Sequence, residues 1–336
     1  MSVSYTLAFD AMGGDLGPQP SLEAALVCLD LFPRLQLQWV GPKDLLNGLL
    51  ASVSASQQHL LPRINVIKAD DVIEMTDDVL VALRQKQNSS MSVALQQVAS
   101  GQADACVTCG NSAALMALSR QLLATLPGFE RPAFASHIPT STNPCLVVDM
   151  GANLAPSAEQ LSQYAIAGQA LEQALQPSQA VSVGLLNIAS EARKGQPEVQ
   201  EAHKLLGVHE ELNYHGFVEP QEVFKGKVNV LVCDGYAGNV LIKSAEGVSQ
   251  MLSSALYNHA QQQGDDNAFL QDKVVQPLQS RFDARKLNGA FLLGLQSLVV
   301  KSHSYADTTA LVAAITSAVQ YLEMQFTEHV ADAITE

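Results

Sequence analysis

YTLAFDAMGGDLGPQPSLEAALVCL, residues 5–29, holds in miniature the pattern that decides the fold. Residues 5 to 9 are an apolar run ending at Asp10, and the following AMGGDLGPQP has the Gly and Pro content of a long turn. Ser21 then opens a helical pattern with apolar Leu22, Ala25, Leu26 and Leu29. The same succession recurs downstream. Strands are expected at Leu35 to Gly41, Ile64 to Ala69, Ala103 to Thr108, Ala133 to Ile138, Cys145 to Asp149, Val181 to Asn187 and Val228 to Cys233. Helical patterns fall between them, at Asp44 to Ser52, Asp77 to Gln87, Ser92 to Gly101, Asn111 to Leu123, Ala158 to Leu175 and Glu198 to Leu205. Apolar strands separated by helices predict a doubly wound α/β/α fold with a mostly parallel sheet covered on both faces.

Beyond Gly238 the texture becomes helical from Asn239 to Gln262, breaks at GDDNA (Gly264 to Ala268) and resumes from Phe269 to Phe282, as a helical hairpin would. An apolar segment follows at Ala290 to Val300, then a final helix from near Asp307. With no linker or repeat, residues 1–336 read as one α/β/α domain, with residues 245–285 a hairpin inserted in it.

At 47% hydrophobic residues the chain has ample material for a core, which excludes disorder as its main state. Its 19 Lys and Arg against 33 Asp and Glu give a net charge of −14, and no basic stripe offsets it, so nucleic acid is not an expected partner. The start MSVSYTLAFDAMGGD lacks the basic and apolar regions of a secretory signal, and five Cys are an odd count. A cytoplasmic location is expected.

In open α/β sheets ligands bind outside the carboxyl ends of the strands. Five segments there combine Gly, Asn and Asp: Asp10 to Pro18, Thr108 to Met116, Asp149 to Asn153, Leu185 to Gly195 and Cys233 to Gly247. Such turns let backbone approach a ligand and aim helix N-termini at an anion, so a small anionic ligand is implied. Neither a dinucleotide G-x-G-x-x-G, a Walker P-loop nor an H-E-x-x-H occurs. Cys106 and Cys109 match C-x-x-C, but on a strand residues three apart point to opposite faces, so two packing residues are expected rather than a redox or metal pair.

The segments DAMGGD (Asp10 to Asp15), SSMSVAL (Ser89 to Leu95), ADACVTCGNSAALMALS (Ala103 to Ser119), LPGFERPA (Leu126 to Ala133), VDMGAN (Val148 to Asn153), VGLLNIASEARKG (Val183 to Gly195) and VCDGYAGNVLIKSAEG (Val232 to Gly247) together resemble the PlsX family. These bacterial phosphate acyltransferases make acyl-phosphate from acyl-[acyl-carrier-protein] and inorganic phosphate for phospholipid synthesis. The likeness runs from Phe9 to about Asp307. It implies a homodimer with a fold related to phosphotransacetylases and to isocitrate and isopropylmalate dehydrogenases, no obligatory metal or organic cofactor, and direct attack of phosphate on the thioester carbonyl.

Phosphate is already a nucleophile, so such an enzyme must position it, offset repulsion and stabilise the oxyanion. The residues matching the family's segments supply candidates. Lys194, Lys301, His303 and Asn239 are expected to act at the reacting centre, with Lys243 a further cation. Gly13, Gly14, Asn111 and Ser112 are expected to give donors to phosphate, and Asn153 belongs to the same site. Asp10, Asp15 and Asp234 are expected in the phosphate site as groups orienting the cations, since a bare carboxylate repels phosphate. The chain departs from the family pattern at Ala113, where a glycine is usual, at Ala189 to Ala192, which keeps only Glu191 of the usual acids, and at Ser304, again for glycine.

The resemblance also implies transient membrane docking through the hairpin. Here Val248, Met251, Leu252, Ala255 and Leu256 form a stripe that core or dimer packing explains better than docking, and Asp265 and Asp266 at the tip would be repelled by an anionic bilayer. Two other functions stay open. A dehydrogenase of the related topology would need a nicotinamide site and usually a metal. A non-catalytic carrier-binding module would need a basic patch such as Arg193, Lys194, Lys204, Lys225, Lys227, Arg281, Arg285 and Lys286.

Overall fold

The computed structural model describes residues 4–191, 193–262 and 289–335. The first strand, β1 (Tyr5–Asp10), is followed by α1 (Gln19–Leu31), β2 (Leu35–Gly41), α2 (Lys43–Ala51) and β3 (Ile64–Lys68). Then come α3 (Val79–Gln85), α4 (Ser90–Ala99), β4 (Ala105–Thr108), α5 (Ser112–Leu122), β5 (Ala133–Ile138), β6 (Cys145–Val148) and α6 (Ala158–Leu175). The chain continues through β7 (Val183–Leu186), α7 (Pro197–Gly207), β8 (Tyr214–Val218), α8 (Pro220–Val223), β9 (Val230–Val232) and α9 (Gly235–Gln262). It ends with β10 (Ala290–Leu293), β11 (Leu298–Lys301), α10 (Thr308–Glu323) and α11 (Phe326–Thr335).

These strands form one sheet in the order β3, β2, β1, β4, β11, β10, β5, β6, β9, β7, β8. Pairing is parallel except where β10 meets β11 and β5, and where β5 meets β6. On one face α1, α6, α10 and α11 bury a core with Leu7, Phe9, Trp39 and Phe291. The other is covered by α3, α4 and α5 around Cys106 and Met91, and by α8 and the start of α9 around Val147 and Leu231. Strands β4, β6, β7 and β9 are buried throughout, as a sheet covered on both faces requires. Cys106 and Cys109 fall in cores on opposite sides of the sheet.

Local signals set the helix starts. Ser157 and Gln160 make a reciprocal capping box at α6, and Asp307 accepts from the Ala310 N–H at the start of α10. Asp234 does the same for α9, taking the Ala237 N–H at 2.8 Å.

Two expectations need correction. Ala290 to Val300 is not one apolar segment but the two antiparallel strands β10 and β11. Gly294 reverses the chain at φ 101°, and a side chain there would meet the Phe129 ring at 2.2 Å. Strand β8 was not foreseen, because it is a half-exposed edge strand interrupted by Gly216 at φ 105°. Helix α9 spans 28 residues, about 42 Å at 1.5 Å per residue. The expected hairpin tip and return arm, Gly264 to Phe282, lie outside the described residues. Among the described residues no helix is long and apolar enough to cross a membrane.

Candidate active site

The sheet brings β1, β4 and β11 side by side, and of their three last residues Lys301 of β11 faces the site's cavity. Asp10, at the end of β1, is buried and accepts the Thr108 hydroxyl at 2.6 Å and the Met12 N–H at 3.1 Å. Burial pushes the Asp10 carboxyl up against hydrogen bonds from Ser90, Thr108, Met12 and Gly13, which hold it down. Gly13 is needed there because a Cβ would lie 2.6 Å from the Asp10 Oδ2 and 2.7 Å from the Gly110 nitrogen. The Gly13 and Met12 amides thus face Asp10.

Lys301 closes β11, opposite Thr108 on one side and Ala290 on the other. Its Nζ donates to the Ser302 carbonyl and to the Cys109 carbonyl, the latter at 3.4 Å. Burial pulls the Lys301 ammonium down to about 8, and Lys243 pulls the same way, while Cys109, Asp10 and Asp15 oppose. His303, two residues on, is pulled down chiefly by burial; Glu246 opposes, and Lys243 and Lys301 add to the fall. Its ring stacks on Tyr305 at 5.4 Å between centroids.

Glu246, on α9, accepts from Lys243 at 3.1 Å and lies 3.6 Å from the His303 Nε2. Glu246 lies inside the Val232 to Gly247 segment but is not among the expected site residues; its signal is the Lys243-x-x-Glu246 spacing, which sets both on one helix face.

Two loops are clasped beside these groups. The Ser304 hydroxyl donates to Asp15 at 2.6 Å, and the Asp15 N–H donates to the Ser304 carbonyl at 2.7 Å. The serine that departs from the family pattern thus adds a bond a glycine lacks. Asn111 caps α5, accepting from Ala113 and Ala114, and its amide donates to the carbonyls of Glu74, Met75 and Asp77. Its side chain therefore positions helix and loop.

Lys301, His303, Lys243, Asn239 and Ser112 all line one cavity of about 1000 Å³. The rest of its lining is largely apolar, including Phe134, Ile138, Leu241, Ile242, Val248 and Leu252. Asp10, Gly13, Gly14, Asp15 and Asn111 are not among its lining residues; they build the loops around it. Asn153 and Asp234 hold the start of α9: the Asn153 carbonyl accepts the Gly235 N–H at 2.8 Å, and its amide donates to Pro132 and to Asp149. Asp149, also without an assigned part in the sequence reading, is fully buried and takes N–H groups from Phe134, Gly151, Ala152 and Asn153. Lys194 is set apart, exposed and paired with Glu191 at 3.1 Å, and does not line the cavity. Among the described residues no cluster of three or more His, Cys, Asp or Glu is placed to hold a metal ion.

Solved phosphotransacetylases share this fold. A phosphotransacetylase from Streptococcus pyogenes superimposes with a TM-score of 0.59 at 15% identity, over 99% of this chain and 95% of that one. EutD phosphotransacetylase from Staphylococcus aureus gives 0.57 at 16%, over 98% and 94%. The model of a family described as fatty acid synthesis protein matches residues 5–329. Phosphate acyltransferases of Nitrosococcus oceani and Shewanella putrefaciens are 43% and 41% identical, each over 98% of this chain and 96% of theirs. The chain belongs to this PlsX family of phosphate acyltransferases, and is an acyltransferase.

Proposed function

We propose that this acyltransferase moves an acyl group from acyl-[acyl-carrier-protein] to inorganic phosphate, giving acyl-phosphate for phospholipid synthesis. The observation that carries the reading is that Lys301, Lys243 and His303 line one cavity whose surface is otherwise largely apolar. Such a cavity suits a ligand with an anionic head and a hydrocarbon tail.

In this reading Lys301 and Lys243 hold hydrogen phosphate beside the thioester. A phosphate oxygen bonds to the carbonyl carbon, whose oxygen becomes an oxyanion received by Asn239 and Ser112. The oxyanion then collapses, the C–S bond breaks and the electron pair leaves on sulfur. Neutral His303 passes the proton lost by phosphate to that sulfur, so dianion and thioester give acyl-phosphate dianion and free thiol, with no other reactant. Lys194, exposed and outside the cavity, serves carrier contact rather than phosphate. The acidic carrier, a homodimer and transient membrane contact by the hairpin belong to the same reading; the exposed Val248, Met251 and Leu252 on α9 are an apolar face for one of the last two.

Incubating purified protein with acyl-carrier thioester, with and without phosphate, tests it. Phosphorus NMR should show acyl-phosphate only with both substrates; thioester loss that ignores phosphate overturns the reading.

A further inference from the structure

We propose that the acyl chain runs from the reacting centre along a trough floored by Ala290 and Ser136, and that these two small side chains set the longest chain accepted. This rests on the acyl-transfer reading and adds a specificity site to it.

The sheet register makes the trough. Lys301 pairs with Ala290 across β11 and β10. Phe291 pairs with Ala135, so one residue back Ala290 stands opposite Ser136, and Ser136 pairs with Val147 and that with Leu231. Residues in one such row share a face of the sheet. Starting at Lys301 the row therefore reads Lys, Ala, Ser, Val, Leu. With strands about 4.8 Å apart, Ser136 sits about 10 Å from Lys301, measured between backbones.

Only the middle of this row is low. Val147 and Leu231 are fully buried, with Leu241 and Ile242 of α9 packed over them. Along β5, Phe134 and Ile138 stand on either side of Ser136 and on the same face. Ala290, Ser136, Phe134 and Ile138 all line the cavity, and Val248 and Leu252 of α9 face them from across it. The result is a slot with a cation at one end, low small side chains along its floor and apolar walls. Hydrocarbon attached to a carbonyl held beside Lys301 matches it in both charge and polarity; a polar nucleotide would leave its hydrogen-bonding groups unmet against those walls.

The experiment is a ladder of acyl-carrier thioesters, from short to long saturated chains, assayed for acyl-phosphate with wild type, Ala290→Leu, Ser136→Leu and Ser136→Ala. The two leucine variants should lower the long-to-short ratio of kcat/KM by at least about tenfold, equivalent to losing the burial of roughly two methylenes. Ser136→Ala, which keeps the space, should retain the wild-type ratio. Folded leucine variants with an unchanged ratio, or with equal losses at every length, overturn the trough while leaving acyl transfer intact. No acyl-phosphate from wild type with any donor overturns the transfer reading instead. Should the leucine variants not fold, wild type is labelled with a donor carrying a photoreactive group near the chain end. Crosslinks on β5, β10 or the facing turns of α9 support the trough, and crosslinks confined elsewhere overturn it.

Discussion

His303 and Glu246 face each other across 3.6 Å, one at the end of the last strand and the other on α9. The same carboxylate takes Lys243 at 3.1 Å, so one acid lies against two basic groups of the cavity. Glu246 favours the imidazolium form of His303. Replacing it by Gln should let His303 fall further, moving the acid limb of the kcat/KM profile to lower pH. A limb that stays or moves upward in Glu246→Gln would show that His303 does not carry the proton.

Lys301 gives a prediction linking stability to pH. Its folded value is about 8 against 10.5 for the free group, so between these pH values the unfolded chain binds the extra proton and stability rises with pH. Below pH 8 both states are protonated and the buried charge costs up to about 3 kcal/mol. Lys301→Met should therefore melt at a higher temperature at pH 7 while losing activity by at least about a hundredfold. Thermal denaturation beside an activity assay checks both halves.

The same depressed value predicts proton uptake. Near pH 8.5 Lys301 is largely neutral in the free protein, and a bound phosphate dianion favours its charged form. Phosphate binding should then draw in protons at pH 8.5 and far fewer at pH 7. Calorimetry in two buffers of different ionisation enthalpy reads this directly. Lys194→Ala should retain the wild-type phosphate KM, because Lys194 lies outside the cavity.

Gly13→Ala and Gly48→Ala should move stability in opposite directions. The first places a Cβ 2.6 Å from Asp10 and 2.7 Å from the Gly110 backbone, whereas the second meets nothing within 4 Å. Gly48 lies within α2, where alanine gains about 0.5–1 kcal/mol. Denaturant midpoints compare them, and an unaffected Gly13→Ala would mean that the turn behind Lys301 is more yielding than its contacts imply.

Asn111→Ala should cost about 1–2 kcal/mol through the lost cap, and should raise hydrogen exchange in residues 74–77, whose carbonyls it holds. Exchange in β4 should stay slow. A loop that keeps its protection would mean that Lys86, which holds Val72 and Asp77, suffices alone.

The layered fold was legible because buried parallel strands are written as apolar runs; a strand-end turn pointed to Asp10, whereas Lys301 and His303 stood out only through the family resemblance. What the sequence did not reveal depends on distant pairing. Ala290 and Ser136 are 154 positions apart and acquire meaning only from register. Glu246 has no expected role in the sequence, because its approach to His303 depends on where α9 lies in the folded chain. Lys194 sat in an equally glycine-rich strand end, yet β7 lies near the sheet's far edge, well away from β11. Asn111 was read for its backbone donors, while its side chain uses both ends to fasten a helix and a loop.

The reversal at Gly294 also bears on how the molecule is born. Strands β10 and β11 stand between β4 and β5, and without them the sheet falls into two separate pieces, one of four strands and one of five. Both pieces leave the ribosome well before residue 301 does. On its own each piece would have an unpaired strand edge, which pairing with β10 and β11 removes. Lys301 stands on β11, so joining the halves and completing the proposed site are one event.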